Sequence, residues 1–257
     1  MMLPISPAIP RAALITGGAQ RLGLAIGQAL ASVGFSIAIH CRSSTARAEA
    51  AAAALPGRAV VLPADLSDEA QVMALIPRAT EALGPIGVLV NNASAFERDE
   101  WDNGTRESWD AHMGPNLRAP FVLMQHFARA LPAASEGVVI NMLDQRVWSL
   151  TPHFVSYTVS KAGLWTLTQT MALALAPRIR VNGIGPGPAL ASARQSQEQF
   201  DQQNRSVPLG HGTSPDEVGR AVLMILALPA MTGQMIALDG GQHLQWASGQ
   251  GVPPPEE

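Results

Sequence analysis

Residues 12–33 have the sequence AALITGGAQRLGLAIGQALASV. The run AALIT is short and apolar, as in a buried strand, and the segment from Arg21 onward has the apolar spacing of an amphipathic helix. Gly17, Gly18 and Gly23 lie at the turn between them. Glycines at a strand-to-helix turn let the backbone approach a pyrophosphate, which then lies at the positive N-terminus of the helix. The stretch therefore predicts the start of a nucleotide-binding βαβ unit.

Short apolar runs and longer helical patterns alternate along almost the whole chain. The remaining apolar runs lie at 36–40, 59–64, 86–90, 137–143, 179–184 and 234–238. Helical patterns lie at 21–33, 44–55, 67–82, 155–176 and 214–228, with two more around 105–131. Uninterrupted apolar strands are typical of a parallel sheet covered by helices on both faces. We therefore predict an α/β protein with a single-domain Rossmann fold, a doubly wound seven-stranded parallel sheet with helices on both faces.

Two helix starts can be placed more closely than the others. Ser67 and Ser214 each precede acidic residues, in SDE at 67–69 and in SPDE at 214–217. We expect each serine to cap its helix and the acidic side chains to lie in the first turn, where a negative charge favours the helix dipole.

The domain is expected to span residues 11–246, between loosely ordered ends at 1–10 and 247–257. The segment 189–213 interrupts the alternation because it is polar and rich in glutamine. It could be a solvated surface helix. Its position after the sixth strand, at the edge where open α/β sheets bind ligands, favours a substrate lid.

Composition narrows the possible classes of protein. Of the 257 residues, 47% are hydrophobic and 14% are charged, which excludes a disordered chain, and the single cysteine, Cys41, excludes an intrachain disulfide. With 17 basic and 20 acidic residues, the chain lacks the positive field of proteins that bind nucleic acid or membrane surfaces.

No signal peptide is evident, and the most apolar stretch, 221–231, is too short to span a bilayer. We expect a soluble, cytoplasmic protein. The histidines show no metal-ligand spacing, so no metal is expected.

The end of the second strand indicates which dinucleotide would bind. A site for NAD has an acidic residue there, which accepts a hydrogen bond from the ribose 2′-hydroxyl. Here the sequence is His40-Cys41-Arg42-Ser43-Ser44, which offers a cation and two hydroxyls for a 2′-phosphate but no acid. The predicted cofactor is NADPH/NADP+.

Tyr157 is the single tyrosine of the chain and Lys161 its single lysine. They are four residues apart in a helical segment, so both side chains project from one face. A lysine cation beside a phenol favours the phenolate and lowers a phenol pKa that is ordinarily about 10. The pair is therefore a candidate proton donor for the reduction of a carbonyl or an imine.

These features together resemble the short-chain dehydrogenase/reductase family, over roughly residues 10–243. The family pattern is present as Thr16-Gly17, Asp65, Asn91-Asn92-Ala93, Asn116, Tyr157, Lys161 and Pro186-Gly187. The resemblance implies that Asp65 contacts the adenine and that Asn116 joins a proton relay through water to Lys161, which also holds the nicotinamide ribose. It also implies a homotetramer, in which Trp246 would touch a neighbouring subunit.

The resemblance also implies which residues bind the cofactor. They are Gly17, Arg21, Leu22, Gly23, His40, Arg42, Ser43, Asp65, Leu66, Asn92, Ala93, Ser94, Tyr157, Lys161, Pro186 and Gly187. Of these, Pro186 and Gly187 would flank the nicotinamide carboxamide.

Two departures from the common family pattern are informative. Arg21 replaces the middle glycine of the phosphate turn, and Asp144 stands where the family has a catalytic serine, thirteen residues before Tyr157. An ionised aspartate only accepts hydrogen bonds, so Asp144 either suits a substrate with N–H donors or must itself be protonated. Both departures resemble the pteridine reductase branch of the family, which includes dihydromonapterin and dihydrofolate reductases.

That branch implies the roles of the remaining site residues. The expected catalytic residues are Asp144, Tyr157, Lys161 and Asn116, and the expected substrate-binding residues are Arg21, Ser94, Phe96, Asp144 and Tyr157. Phe96 would stack on a flat pterin and sandwich it against the nicotinamide. Phe154 and Trp148 either form walls of the pocket or anchor their loop.

The predicted function is NADPH-dependent transfer of hydride to the C=N bond of a pterin-like substrate, with Tyr157 as proton donor assisted by Asp144 and Lys161. One alternative is a general carbonyl reductase acting on 3-oxoacyl or sugar substrates, in which Asp144 is merely tolerated. Another is a non-catalytic NADP(H)-binding sensor. A sensor has no need of a tuned phenol, so the Tyr157 and Lys161 pair argues against it.

Overall fold

Seven parallel strands form one sheet in the computed structural model, which describes residues 4–192 and 194–244. The strands are β1 (Ala12–Ile15), β2 (Ser36–Cys41), β3 (Ala59–Pro63), β4 (Val88–Asn91), β5 (Gly137–Met142), β6 (Ile179–Pro186) and β7 (Met235–Leu238). Their order across the sheet is β3-β2-β1-β4-β5-β6-β7. The predicted fold is confirmed, and the strand ends differ from the predicted ones by one or two residues.

The strand order reverses at β1, which pairs with β2 on one side and with β4 on the other. Leu14 is in register with Ala38 of β2 and Leu89 of β4, and none of the three side chains is exposed. At such a reversal the chain connections diverge and leave a crevice beyond the carboxyl ends of the strands, where open α/β sheets bind ligands.

Helices cover both faces of the sheet. They are α1 (Arg21–Ser32), α2 (Thr45–Ala54), α3 (Glu69–Leu83), α4 (Arg106–Met113), α5 (Ala119–Ala130), α6 (Val155–Leu175), α7 (Gln197–Ser206) and α8 (Pro215–Ala227). α1, α2 and α8 pack on one face, around Ile26 and Ile225, while α3, α5 and α6 pack on the other, around Leu75 and Phe127. No helix in the described residues is long and apolar enough to cross a membrane.

For the segment 189–213 the sequence left two interpretations, a substrate lid or a solvated surface helix. In the structure this segment contains α7. Ser196 caps this helix and forms a capping box with Gln199, and Gln203 is its one buried residue. A helix with so little buried surface depends on its cap and on the contacts of the flanking residues.

One helix start differs from the prediction. Asp68, rather than Ser67, caps α3, because its carboxylate accepts the N–H groups of Ala70 and Gln71. The N–H of Ser67 is instead bound to the side chain of Asp65 at 2.8 Å, which places Ser67 in the turn before the helix. The capping role of Ser214 is confirmed by its bond to the N–H of residue 217.

The expected loose segment 1–10 is packed where the structure describes it. Ile9 is only 2% exposed, and the carbonyl of Ala8 accepts the N–H of Glu136. The apolar side chain at position 9 thereby joins the core below β5. Trp246 and the predicted tail 247–257 lie outside the described residues.

A buried polar chain ties the centre of the sheet to α6. Asn91 Nδ2 donates to Asn141 Oδ1 at 2.8 Å, and Asn141 Nδ2 donates to Thr168 Oγ1 at 2.9 Å. The three residues are at most 2% exposed. Because β4, β5 and α6 all carry residues of the crevice, these bonds help to set their relative positions.

Asn141→Val should destabilise the protein by about 1–3 kcal/mol, because the amide of Asn91 loses its acceptor where water does not reach it. The free energy of unfolding in urea measures the effect. Thr170→Val is the matched control, since this hydroxyl binds a carbonyl of the same helix on its exposed side. A similar loss in both variants would contradict the role given to the buried chain.

Candidate active site

The turn after β1 is held by side chains from two neighbouring strands. Thr16 Oγ1 accepts the backbone N–H groups of Asn92 and Ala93 at 2.9 and 3.0 Å. The amide of Asn92 donates to the carbonyls of Thr16 and Gly17 at 2.8 and 3.1 Å. On the other side, the N–H of Gly17 donates to the ring of His40 at 3.1 Å. The protein's own contacts therefore fix the shape of the turn.

Both ring nitrogens of His40 bind the backbone. Nδ1 accepts the N–H of Gly17, so the proton lies on Nε2, which donates to the carbonyl of Ala64 at 3.0 Å. Burial lowers the pKa of this imidazole, which keeps it neutral. The sequence analysis placed His40 among the cofactor-binding residues, and the structure places it as a support of the turn.

Close packing at the turn depends on glycine. Gly17 has a φ of +62°, and a Cβ at Gly23 would lie 2.3 Å from the carbonyl oxygen of Gly17 and 2.6 Å from Asn92 Nδ2. Arg21 adopts a φ of +54°, which is uncommon for a residue with a side chain. This is the tight turn into a helix N-terminus that pyrophosphate binding requires.

Two cations lie beyond the end of β2. Arg42 and Ser43 are exposed there, as the NADPH prediction requires. Arg47, in the first turn of α2, hydrogen-bonds the side chain of Gln20 in the turn after β1. Arg47 was not among the residues predicted from the sequence, although its place five residues after Arg42, at the start of the second predicted helix, was a usable signal.

The other predicted cofactor residues follow β3 and β6. Asp65 and Leu66 come after β3, with Leu66 buried. Pro186 ends β6, and the N–H of Gly187 donates to the carbonyl of Leu238 at 3.0 Å. Parallel strands end at the same edge of a sheet, so these residues share that edge with the turn after β1.

Tyr157 and Asp144 are joined by a hydrogen bond beyond the end of β5. The phenol donates to Asp144 Oδ2 at 2.8 Å. Lys161 Nζ donates to the carbonyl of Met142 at 2.8 Å and lies 5.7 Å from the centre of the phenol ring. Tyr157 and Lys161 are 6% and 3% exposed. The structure thus brings the two residues of the helical pair and the carboxylate together.

The expectation that Lys161 lowers the pKa of Tyr157 is wrong for this arrangement. Burial, followed by the negative charge of Asp144, raises the pKa of Tyr157 well above its ordinary value. Lys161 binds a backbone carbonyl rather than the phenol, and its own burial lowers its pKa to about 8. Tyr157 is therefore a firmly protonated hydrogen-bond donor.

Asn116 lies in a π-helical turn, Gly114–Arg118, between α4 and α5. Its Oδ1 accepts the N–H of Ala95 at 2.8 Å, and its Nδ2 donates to the carbonyl of Ala95 at 2.9 Å. Nδ2 also donates to Ser160 Oγ at 3.1 Å, beside Lys161 in α6. The family resemblance implies a relay towards Lys161, and in the structure Asn116 joins α6 to the loop after β4.

Phe96, in that loop, forms the aromatic part of the site. Its ring is stacked on Phe154, with centroids 4.6 Å apart, and meets the ring of Tyr157 edge-on at 4.7 Å. Phe154 also begins α6 in a left-handed conformation, with a φ of +56°. Trp148 packs on Trp165, at 6.2 Å between centroids. These contacts favour the loop-anchoring interpretation of Phe154 and Trp148.

Arg146 is a functional candidate that the sequence analysis missed. Its guanidinium carbon lies 5.6 and 5.4 Å from the ring centres of Phe96 and Phe154, and Nη1 is 3.3 Å from Asp144 Oδ2. Its charge lowers the pKa of Tyr157, against the larger effects of burial and Asp144. Its position two residues after Asp144 was the only signal in the sequence.

The groups line a cavity of about 290 Å³. The predicted residues that line it are Arg21, Leu22, Asn92, Ser94, Phe96, Asp144, Tyr157, Lys161, Pro186 and Gly187. Leu190, Ser192 and Phe200 from the segment 189–213 also line it, which places part of that segment over the predicted reaction centre.

Two arginines hold this segment in place. Arg21 donates through Nη1 and Nη2 to the carbonyls of residues 190–191, at 3.2 Å or less. Arg194 forms an ion pair with Glu97 at 2.5 Å and a hydrogen bond with the carbonyl of Phe96. Arg21 was expected to contact cofactor or substrate, and here its guanidinium contacts the segment that covers the cavity.

A family model that matches this chain and a solved structure similar to it are both of reductases. A family model described as enoyl-(acyl carrier protein) reductase matches residues 17–243. The crystal structure of FolM alternative dihydrofolate reductase 1 from Brucella canis, complexed with NADP, is 45% identical, with a TM-score of 0.91 over 95% of this chain and 99% of that one.

Curated relatives include carbonyl and sugar enzymes. The granaticin polyketide synthase putative ketoacyl reductase 2 of Streptomyces violaceoruber is 30% identical over 90% of this chain and 96% of its own length. Galactitol 2-dehydrogenase of Agrobacterium fabrum is 34% identical over 62% of each chain.

Gly23→Ala should destabilise the protein by about 1–3 kcal/mol, because the new methyl group meets the carbonyl of Gly17. Gly27→Ala, in the same helix, is the matched control, since its Cβ would meet no atom closer than 3.5 Å. That control should be unchanged or more stable, because alanine favours a helix over glycine. Thermal unfolding of both variants tests this, and equal melting temperatures would contradict the close packing at Gly23.

Proposed function

The chain belongs to the short-chain dehydrogenase/reductase family of oxidoreductases, and from that premise we propose that it uses NADPH to reduce a C=N bond of a pterin-like substrate, such as a dihydropteridine or dihydrofolate. The observation that carries the proposal is the partly buried hydrogen bond from Tyr157 to Asp144 beside the ring of Phe96. It combines a proton donor, an acceptor for N–H groups and a flat apolar surface in one cavity.

The crevice fits NADPH at both ends of the dinucleotide. The close turn at Gly17 and Gly23 would hold the pyrophosphate, and Arg42 with Arg47 would hold the 2′-phosphate. Lys161 would bind the nicotinamide ribose. When bound, the nicotinamide supplies the hydride of the reduction. The related Brucella structure, which contains NADP, supports this choice.

Tyr157 would supply the proton that the reduced nitrogen needs. Burial and Asp144 raise its pKa, so the proton stays on the phenol oxygen until a more basic group accepts it. A C=N nitrogen that gains electron density from hydride transfer is such a group. Asp144 would accept an N–H of the substrate, and Arg146 beside it would offset part of the negative charge that the phenolate adds.

The choice of a heterocycle over a ketone rests on Asp144. A ketone offers only an acceptor oxygen, and a carboxylate beside it gives repulsion rather than a hydrogen bond. An aminopyrimidine ring offers N–H donors and a face that can stack on Phe96. The ketoacyl and sugar relatives support the alternative, a carbonyl reductase in which Tyr157 acts without help from Asp144.

We also propose that the segment 189–213 is a substrate lid. Its residues line the cavity, and the bonds from Arg21 and Arg194 link it to the turn after β1 and to the loop after β4. A lid held at two points can exclude water from the reacting atoms and release product when those bonds open. The homotetramer and the cytoplasmic location stay predictions.

Tyr157→Phe should reduce dihydropteridine turnover by about 100-fold or more, because the proton donor is lost. Asp144→Ser should lower dihydropteridine turnover while sparing or improving ketone reduction, because a hydroxyl can donate to a carbonyl oxygen. NADPH oxidation at 340 nm, with dihydrobiopterin, dihydrofolate and a panel of ketones, measures both. Equal losses on heterocycles and ketones in Asp144→Ser would count against the role of Asp144, and turnover of ketones alone would favour the alternative.

The rate of reduction should fall above a pH of about 8, because Lys161, which would bind the nicotinamide ribose, loses its proton there. Burial disfavours the charged form, so the pKa of Lys161 lies below its ordinary value and the loss occurs at a lower pH than for an exposed lysine. The measurement is kcat/KM with NADPH as the varied substrate, from pH 6 to about 10. Lys161→Arg should move the fall to higher pH if it retains activity, and an unchanged profile would assign the ionisation to another group.

A further inference from the structure

The loop after β4 has no regular secondary structure at residues 92–100, yet it carries the side chains of Ser94 and Phe96 that line the cavity. Its backbone is held at Ala95, at Glu97, and at Phe96 itself, whose carbonyl accepts a hydrogen bond from Arg194. Ala95 is bound by Asn116, as described above. A second group of polar residues binds the backbone N–H of Glu97 and the side chain of Asp99. The position of Phe96 depends on the anchors on either side of it.

His112, at the end of α4, provides the anchor at Glu97. Its Nε2 accepts the backbone N–H of Glu97 at 3.0 Å, so its proton lies on Nδ1. Nδ1 then donates to the carbonyl of Ser108 at 2.9 Å and to Ser156 Oγ at 2.7 Å. His112 is fully buried, and its ring lies 6.0 Å from that of Tyr157.

Ser156, the residue before Tyr157, connects this histidine to Asp99. Its hydroxyl donates to Asp99 Oδ2 at 2.5 Å, and its backbone N–H donates to Oδ1 at 3.1 Å. Asp99 and Ser156 are 4% and 1% exposed. The order of donation is His112 to Ser156 to Asp99, so the hydroxyl accepts a hydrogen bond from the imidazole and donates one to the carboxylate.

We propose that His112 is a positioning residue for the substrate site, which acts by fixing the N–H of Glu97 and so holding Phe96 against Tyr157. The Ser156 and Asp99 bonds join the same loop to the start of α6, so the stacking surface and the proton donor move as one unit. Since this role assumes that Phe96 contacts substrate, it rests on the proposed function.

Two substitutions of His112 test the contributions of its two ring nitrogens separately. His112→Gln retains an acceptor near the position of Nε2 and so can still bind the N–H of Glu97. His112→Asn retains a donor near the position of Nδ1, towards Ser108 and Ser156, but cannot reach Glu97. Glutamine retains one methylene more than asparagine, so a second comparison in a Phe96→Ala background separates the packing loss, which would persist there, from the positioning of the ring.

Kinetics of dihydropteridine reduction give the first test. His112→Asn should raise KM for the dihydropteridine about tenfold, the effect of one lost buried hydrogen bond, with the dissociation constant of NADPH unchanged. His112→Gln should restore most of the loss. In a Phe96→Ala background, His112→Asn should raise KM little further, because the ring to be positioned is gone. Equal effects in both backgrounds, or equal losses in the two histidine variants, would overturn the proposal.

Hydrogen exchange gives a second test that needs no substrate. The amide of Glu97 should exchange at least about tenfold faster in His112→Asn than in His112→Gln, because only the second retains an acceptor. Identical exchange in peptides spanning residues 92–105 would overturn the positioning role. If the unmodified protein fails to reduce dihydropteridines, the proposed function fails, while this exchange measurement still decides whether His112 fixes the loop.

Discussion

Thr16 and Asn92 bind each other's backbone where β1 and β4 end, and the whole crevice is arranged around that contact. The turn that leads into α1 leaves from one side of it, and the loop with Phe96 leaves from the other. Both segments lack regular structure, so their backbone N–H and C=O groups need partners from side chains. The buried amides and hydroxyls near these strand ends supply them, which is why polar residues are concentrated there in an otherwise apolar sheet.

A carboxylate in place of a hydroxyl changes the electrostatics of the reaction centre. The negative charge of Asp144 and the burial of Tyr157 both hold the proton on the phenol, while Arg146 offsets part of that charge. Burial also brings the pKa of Lys161 to about 8. Tyr157 therefore forms one coupled set with Asp144, Arg146 and Lys161. The effect of any one of these groups on proton transfer depends on the charges of the others.

Arginine supplies most of the cations around the cavity, in two structural roles. Arg21 and Arg194 hold the covering segment, whereas Arg146 lies over the stacked rings of Phe96 and Phe154. The planar guanidinium suits both roles, because it can bind two carbonyls or lie against an aromatic face. Lys161 is the one lysine of the chain, and its burial lowers its pKa to about 8.

The sequence by itself determined the alternation of strands and helices along the chain, the turn at Gly17 and the Tyr157 and Lys161 pair, because these depend on local periodicity and short spacing. It did not determine the roles of His112 or Arg146, the capping of α3 by Asp68, or the direction of the pKa shift at Tyr157. Those depend on burial and on contacts between segments far apart in the chain, such as the 44 residues that separate His112 from Ser156. Only the tertiary structure decides which groups lose water and which charges they face, and that loss of water controls both pKa and hydrogen-bond strength.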